Sequence, residues 1–217
     1  MLLRSLPHSP YVRKVLVTAH ETGILRRIEV VETHVFDPAS PLFAENPLGK
    51  VPTLVRDDGV VLYDSTVICQ YLDALAHAEK PAAHSRLFPA EGDPLWHALR
   101  RNALGDGLAQ AATWNIRERY RPAGERSETY LRYYRRAIDR GLAALEAEAA
   151  QSSSSTLDIG DVAIACALSY LDFRHSDLDW RKAHPALAVW YEAVTQRPSF
   201  EMTPLAPYTG PLSPWVD

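Results

Sequence analysis

Cysteine is scarce in this chain. Only Cys69 and Cys166 occur among 217 residues, far apart and each inside an apolar helical pattern. That excludes a disulfide framework and a zinc cluster, and predicts two buried free thiols in a reducing compartment. No apolar run reaches membrane-spanning length. Arg4, Pro7, His8, Arg13 and Lys14 interrupt the N-terminus before a signal-peptide core can form, so a cytoplasmic protein without membrane contact is expected. Neither charge sign dominates. With 23 Lys+Arg against 27 Asp+Glu there is no basic surplus for nucleic acid. The run His175-Ser176-Asp177-Leu178-Asp179 contains metal-ligand types, but it reads as a solvated helix end, and no metal is expected.

Hydrophobic residues make up 47% of the chain, enough for a sizeable core, and the length suits two modest domains. Leu2 to Ser5 forms a short apolar start. Ser9 and Pro10 then act as N-cap and first-turn residues for a helix with Val12, Val15, Leu16 and Ala19 on one face, ended near Gly23. Ile28 to Val35 is β-branched and predicts a strand, so strand, helix and strand form a parallel crossover. The proline-punctuated segment Asp37 to Leu48 has room for one short helix. Thr53 to Arg56 and Val60 to Tyr63 flank Asp57-Asp58-Gly59 as a hairpin, and Ser65 caps a helix carrying Ile68, Tyr71, Leu72 and Leu75.

From Ala76 to Pro94 the pattern weakens into an interdomain connection, dividing the chain into residues 1–78 and 90–217. The second part reads as all helix. Long segments run from Trp96 to Arg119 and from Ser127 to Ala149, followed by a polar loop, Gln151 to Ser155. Asp158 and Asp161 form a capping box with a Leu157–Val162 staple for a helix through Tyr170. A last helix covers roughly Pro185 to Gln196, and a proline-rich tail from Pro198 to Asp217 is expected to cross the surface.

The stretch from Asn46 to Ser65, NPLGKVPTLVRDDGVVLYDS, resembles the glutathione-binding core of the glutathione S-transferases. NPLGKVPTLV is similar to the family's loop before its cis-proline, and YDS to its acidic-then-Ser glutathione motif. Ser9-Pro10-Tyr11-Val12-Arg13-Lys14-Val15 resembles the SPxxRKV segment of the bacterial Ser- or Cys-type members. The resemblance implies an α+β fold: a thioredoxin-like N-terminal domain on a mixed four-stranded sheet, with an all-α C-terminal domain.

It also implies roles, residue by residue. Ser9 stabilises the glutathione thiolate, with Ser5 a weaker competitor. A cis Val51–Pro52 bond presents the Val51 backbone to the cysteinyl unit, with Lys50 near the glycyl carboxylate. Asp64 and Ser65 hold the γ-glutamyl ammonium and carboxylate. Lys50 replaces the Gln, and Asp64 the Glu, often found in relatives. The acceptor pocket falls to the first helices of the C-terminal domain, with Leu108 and Trp114 as apolar candidates among Asp106, Gln110 and Arg117. Asp106 is also a candidate for a partner subunit's glutathione ammonium, while His34 reads as structural.

Without the family, Ser9 is an ordinary N-cap and Ser65 a capped helix start. Glutaredoxins carry Cys-Pro-Tyr-Cys where this chain has Ser9-Pro10-Tyr11-Val12, so a dithiol mechanism is disfavoured. The implied activity is a detoxifying glutathione S-transferase, a homodimer that uses glutathione as co-substrate and adds its thiolate to a small hydrophobic electrophile. Two alternatives stay open: a catalytically weak glutathione-binding or protein-interaction module on the same fold, and a glutathione-dependent isomerase. The SSCS motif of the maleylacetoacetate-type isomerases is absent around Ser9.

Overall fold

The β-branched and apolar runs near the N-terminus pair into one mixed sheet. In the computed structural model, which describes residues 1–79, 81, 86–150 and 156–209, β1 (Leu2–Ser5) lies parallel to β2 (Glu29–Glu32) and antiparallel to β3 (Thr53–Val55). β3 pairs antiparallel with β4 (Val61–Leu62), giving the order β2-β1-β3-β4. Helix α1 (Pro10–Glu21) makes the crossover from β1 to β2, α2 (Leu42–Glu45) fills the proline-rich segment, and α3 (Ser65–Glu79) follows β4. This is the predicted thioredoxin-like order. The observed β2, β3 and β4 are shorter than the apolar runs that signal them, because pairing stops where register with the neighbouring strand ends.

Every later element is helical: α4 (Gly92–Tyr120), α5 (Glu128–Ala149), α6 (Ile159–Arg174), α7 (Trp180–Ala183), α8 (Pro185–Thr195) and α9 (Pro198–Glu201). Helix α6 is buried continuously from Ile159 to Leu171, as a helix apolar all round must be. Its predicted capping box is present: Asp158 Oδ1 accepts from Asp161 N–H at 2.9 Å and Asp161 Oδ2 from Asp158 N–H at 3.0 Å. Arg101 of α4 pairs with Asp161 at 2.6 Å, and His175 Nε2 meets the Ala112 carbonyl at 3.0 Å, so α4 and α6 are locked at both ends. A Cβ on Gly105 would come within 2.6 Å of the Ala163 carbonyl carbon, so this crossing is as close as backbone allows.

One expectation changes. The N-cap of α3 is Asp64, not Ser65: Asp64 Oδ1 accepts from Thr66 N–H at 3.0 Å, and its carbonyl accepts from Ile68 N–H. The connection after α3 is anchored, since Leu87 and Phe88 are buried and Leu87 N–H donates to Asp73 Oδ1 at 2.8 Å. The tail opens with α9, whose Phe200 is buried with its carbonyl accepting from Arg13 Nη2 at 3.1 Å, and residues 204–209 then run exposed or half-exposed along the surface, where Ala206 N–H donates to the Pro7 carbonyl at 3.1 Å. The predicted loop 151–155 and the end of the tail, 210–217, lie outside the described residues. No helix among the described residues is long and apolar enough to cross a membrane.

Candidate functional site

Sheet topology gathers the motifs at one place. Because β1 and β3 are antiparallel, with Arg4 opposite Thr53, the end of β1 leading to Ser9 lies beside the start of β3, where Val51 and Pro52 enter. Because β3 and β4 are antiparallel, with Leu54 opposite Leu62, the end of β4 leading to Asp64 and Ser65 comes to that same edge. Two helices, α1 and α3, begin there, so both N-terminal dipole ends face one region.

Ser9 caps α1, and its buried Oγ accepts from Val12 N–H at 3.3 Å. A hydroxyl carries one donor and two lone pairs, so the cap leaves its O–H free to donate to an anion. Ser5 is buried on β1, with its carbonyl taken by Thr33 N–H.

The Val51–Pro52 bond is cis. The loop leading to it is held by Asn46, which sequence reasoning passed over although it opens the quoted motif. Its Nδ2 donates to the Lys50 carbonyl at 3.1 Å and to Thr53 Oγ1 at 3.0 Å, while its Oδ1 accepts from Leu48 N–H at 3.0 Å. Gly49 takes a positive φ of 58° and a Cβ there would meet the Phe43 ring at 2.6 Å, so the loop favours glycine at this position. Lys50 is exposed. Asp64 is exposed as well; one oxygen caps α3 and the other stays available for a cation, while Ser65 beside it is buried.

A second residue passed over is Lys14, only 1% exposed. Its Nζ lies 2.7 Å from both carboxylate oxygens of Asp106, 3.2 Å from Asn102 Oδ1 and 3.1 Å from Thr66 Oγ1. This network ties α1 and α4 to the first turn of α3. It also occupies Asp106, which the sequence had suggested for a partner's ligand. Lys14 lies opposite the Val12, Val15 and Ala19 face, on the side of α1 where Val17 and Thr18 are also fully buried, so single-face periodicity hid a position at which an ammonium demands a buried counter-charge.

Leu108 is buried towards α5, 3.4 Å from where a Cβ on Gly141 would stand, and serves packing. Trp114 is 44% exposed with Arg117 over its ring at 5.2 Å. Tyr11 reaches the Asp106 carbonyl at 3.3 Å. His34 packs edge-on against Phe36. His175 and Asp177 are engaged with Ala112 and Arg119, and no group of three metal-ligating side chains occurs among the described residues. Both thiols are buried, and desolvation pushes Cys69 up to about 11 and Cys166 up to about 12, so neither is a nucleophile at neutral pH.

Comparison with known proteins agrees with this geometry. The glutathione S-transferase N-terminal domain matches residues 8–75 and the C-terminal domain residues 109–193. The uncharacterized GST-like protein YibF of Escherichia coli is 34% identical over 199 residues, covering 90% of this chain and 94% of YibF. The chain belongs to the glutathione S-transferase family. Among solved structures, a glutathione transferase family member from Pseudomonas fluorescens Pf-5 with bound glutathione is 43% identical, with a TM-score of 0.86 over 95% of this chain and 99% of that one. The same protein has been solved with bound S-(propanoic acid)-glutathione. A glutathione S-transferase from Methylobacillus flagellatus with glutathione bound is 33% identical at a TM-score of 0.86, covering 94% of this chain and 99% of that one. In this family member the thioredoxin-like sheet therefore carries the three converging loops, and α4 meets their neighbourhood through the contacts of Asp106 with Lys14, Thr66 and Tyr11.

Proposed function

We propose that the protein is a glutathione transferase that binds glutathione at the edge where the loops before α1, β3 and α3 meet, and adds its thiolate to a small electrophile. Convergence of Ser9, the cis Val51–Pro52 turn and the Asp64–Ser65 helix start carries this reading. In it, Val51 pairs with the cysteinyl backbone in the manner of an added strand. Lys50 takes the glycyl carboxylate, the free oxygen of Asp64 takes the γ-glutamyl ammonium, and Ser65 with the first-turn N–H groups of α3 takes the γ-glutamyl carboxylate.

A free thiol near pKa 8.5 is mostly protonated at neutral pH. The Ser9 O–H and the N-terminus of α1 stabilise the thiolate, each unit of depression being worth about 1.4 kcal/mol. The thiolate lone pair then forms the new bond to the electrophile. Ser9 itself does not attack. Trp114 supplies apolar surface on the acceptor side, and occupancy of the P. fluorescens neighbour by an S-substituted glutathione supports room beyond the sulfur. A cytoplasmic homodimer acting in detoxification completes the proposal.

The test is calorimetric titration of glutathione, with the pKa of the bound thiol read from thiolate absorbance. Wild type should bind saturably with a thiol pKa below that of free glutathione. Ser9→Ala should retain affinity but raise the bound thiol's pKa, and Asp64→Lys should weaken binding at least tenfold. No binding at millimolar glutathione overturns the reading; an unchanged thiol pKa in Ser9→Ala overturns the role of Ser9.

A further inference from the structure

Most part-buried arginines of this fold face a carboxylate. Arg4 pairs with Glu45, Arg56 with Asp58, Arg101 with Asp161 and Arg181 with Asp172, all at 2.6 Å. Arg174, in the last turn of α6, does not. Its guanidinium lies over the ring of Phe173 at 4.7 Å, it forms no ion pair among the described residues, and its Nε is buried with no hydrogen-bond partner. Arg117 on α4, an exposed residue, also forms no ion pair among the described residues and lies over the Trp114 ring.

His8, the residue before Ser9, presents a buried Nδ1 that also lacks a partner. Arg174 stands against the same stretch of α4 as Arg117: the adjoining His175 meets the Ala112 carbonyl at 3.0 Å, and Ile116 lines a cavity with Arg174. Burial, then the charges of Arg174 and Arg117, push the His8 imidazole down to about 4, so at neutral pH it is an uncharged ring able to present an N–H. Arg174 also lines a cavity of about 380 Å³ together with Arg119, Arg126 and Tyr120, where Glu128 is the only acid among the lining residues. Arg119 is matched by Asp177 at 3.1 Å and Arg126 donates to the Arg121 carbonyl at 2.7 Å, while Arg174 pairs with no acid among the described residues.

An unpaired, partly desolvated guanidinium beside an unsatisfied imidazole is costly unless an anion completes it. We propose that the acceptor side of the site takes a carboxylate-bearing electrophile, and its S-carboxyalkyl product, with Arg174 binding the carboxylate, Arg117 adding charge from α4 and His8 closing the site beside the sulfur. This rests on the glutathione reading above and names its substrate class.

A conjugated carboxylate is a poor acceptor because its negative charge feeds the double bond. Two parallel hydrogen bonds from a guanidinium draw that charge back. The thiolate lone pair forms the S–C bond at the β carbon, the π pair shifts to the α carbon, and water supplies the α proton in exchange for the one the thiol released. The sum is one glutathione plus one unsaturated acid giving one thioether, with no oxidant.

The discriminating measurement is calorimetry with three ligands on the intact protein: glutathione, S-propylglutathione and S-(2-carboxyethyl)glutathione. The two thioethers have similar length, so their affinity ratio isolates the carboxylate. Wild type should favour the carboxyethyl ligand about tenfold, equivalent to about 1.4 kcal/mol, and the ratio should fall as salt is raised. Arg174→Gln should bring the ratio close to one, Arg174→Lys should keep part of it, and Arg117→Gln should lower it by a smaller factor. Each ratio is taken within one variant, so a general loss of affinity does not disturb it. Equal or tighter binding of S-propylglutathione by wild type overturns this inference alone. So does a ratio unmoved in both Gln variants. Binding of none of the three ligands overturns it together with the glutathione reading.

Discussion

Asp106→Asn is the substitution whose cost the structure sets most firmly. It leaves the Lys14 ammonium, 1% exposed, facing only the neutral acceptors Asn102 Oδ1 at 3.2 Å and Thr66 Oγ1 at 3.1 Å. Stranding a buried charge in this way costs about 3–5 kcal/mol. For a chain of this size each kcal/mol moves Tm by roughly 2–4 °C, so a fall of about 6–20 °C is expected. Lys14→Met strands the other partner less severely. The Asp106 side chain is 26% exposed and keeps hydrogen bonds from Asn102 Nδ2 and Thr66 Oγ1, both at 3.2 Å, so the loss should be about 1–3 kcal/mol.

The double variant Lys14→Met/Asp106→Asn has no stranded charge, and its loss should be smaller than the sum of the singles by roughly 1.5–3 kcal/mol. Urea unfolding followed by far-ultraviolet circular dichroism of all four proteins gives that coupling directly. Losses below about 1 kcal/mol for Asp106→Asn, or strictly additive singles, would refute the claim that this pair bears weight in the joint between α1, α3 and α4.

Other changes have equally definite outcomes. Gly105→Ala should gain up to about 1 kcal/mol on helix propensity alone, yet the new methyl meets Ala163 backbone at 2.6 Å; a net loss of about 2 kcal/mol in urea unfolding is expected. Asn46→Ala removes three hydrogen bonds of the loop before the cis Val51–Pro52 bond, and should lower stability by about 2–3 kcal/mol while weakening glutathione binding in calorimetry. His8 has a folded-state pKa near 4, below its unfolded value of 6.5, so the unfolded chain takes up the proton first as pH falls. The stability His8 contributes is therefore complete above about pH 6.5 and is lost between there and pH 4. After discounting for solvent screening this amounts to about 1–2 kcal/mol, measurable as a flatter pH–Tm curve in His8→Gln.

Much of this molecule can be read from local pattern, because local interactions produce those parts. The cap at Ser9, the hairpin around Gly59, the Ser127 cap of α5 and the Asp158–Asp161 box are contacts between residues two to four apart, and alternation of apolar residues announces the elements they bound. The converging motif residues were legible too, through their likeness to a family whose loops carry them.

What lies across the chain was not legible. One local cap was misread as well, since the turn after β4 brings the Asp64 carboxylate to Thr66 N–H, two residues on, and displaces Ser65. Asp106 became the counter-ion of Lys14, 92 residues away, because α4 packs against α1 and a buried ammonium must be neutralised. Leu108 went to the α4–α5 contact while Trp114 stayed exposed, a choice made by the rotation of α4 against its neighbours. The unmatched Arg174 appears only in three dimensions, since a guanidinium at a helix end looks like ordinary dipole compensation until its surroundings are known. Sequence alone determined the elements, the caps of α1, α5 and α6 and the family, all set by short-range chemistry. Tertiary structure decided which charges are paired, which are left open to a ligand, and which apolar side chains became core, because burial and counter-charge come from residues distant in the chain.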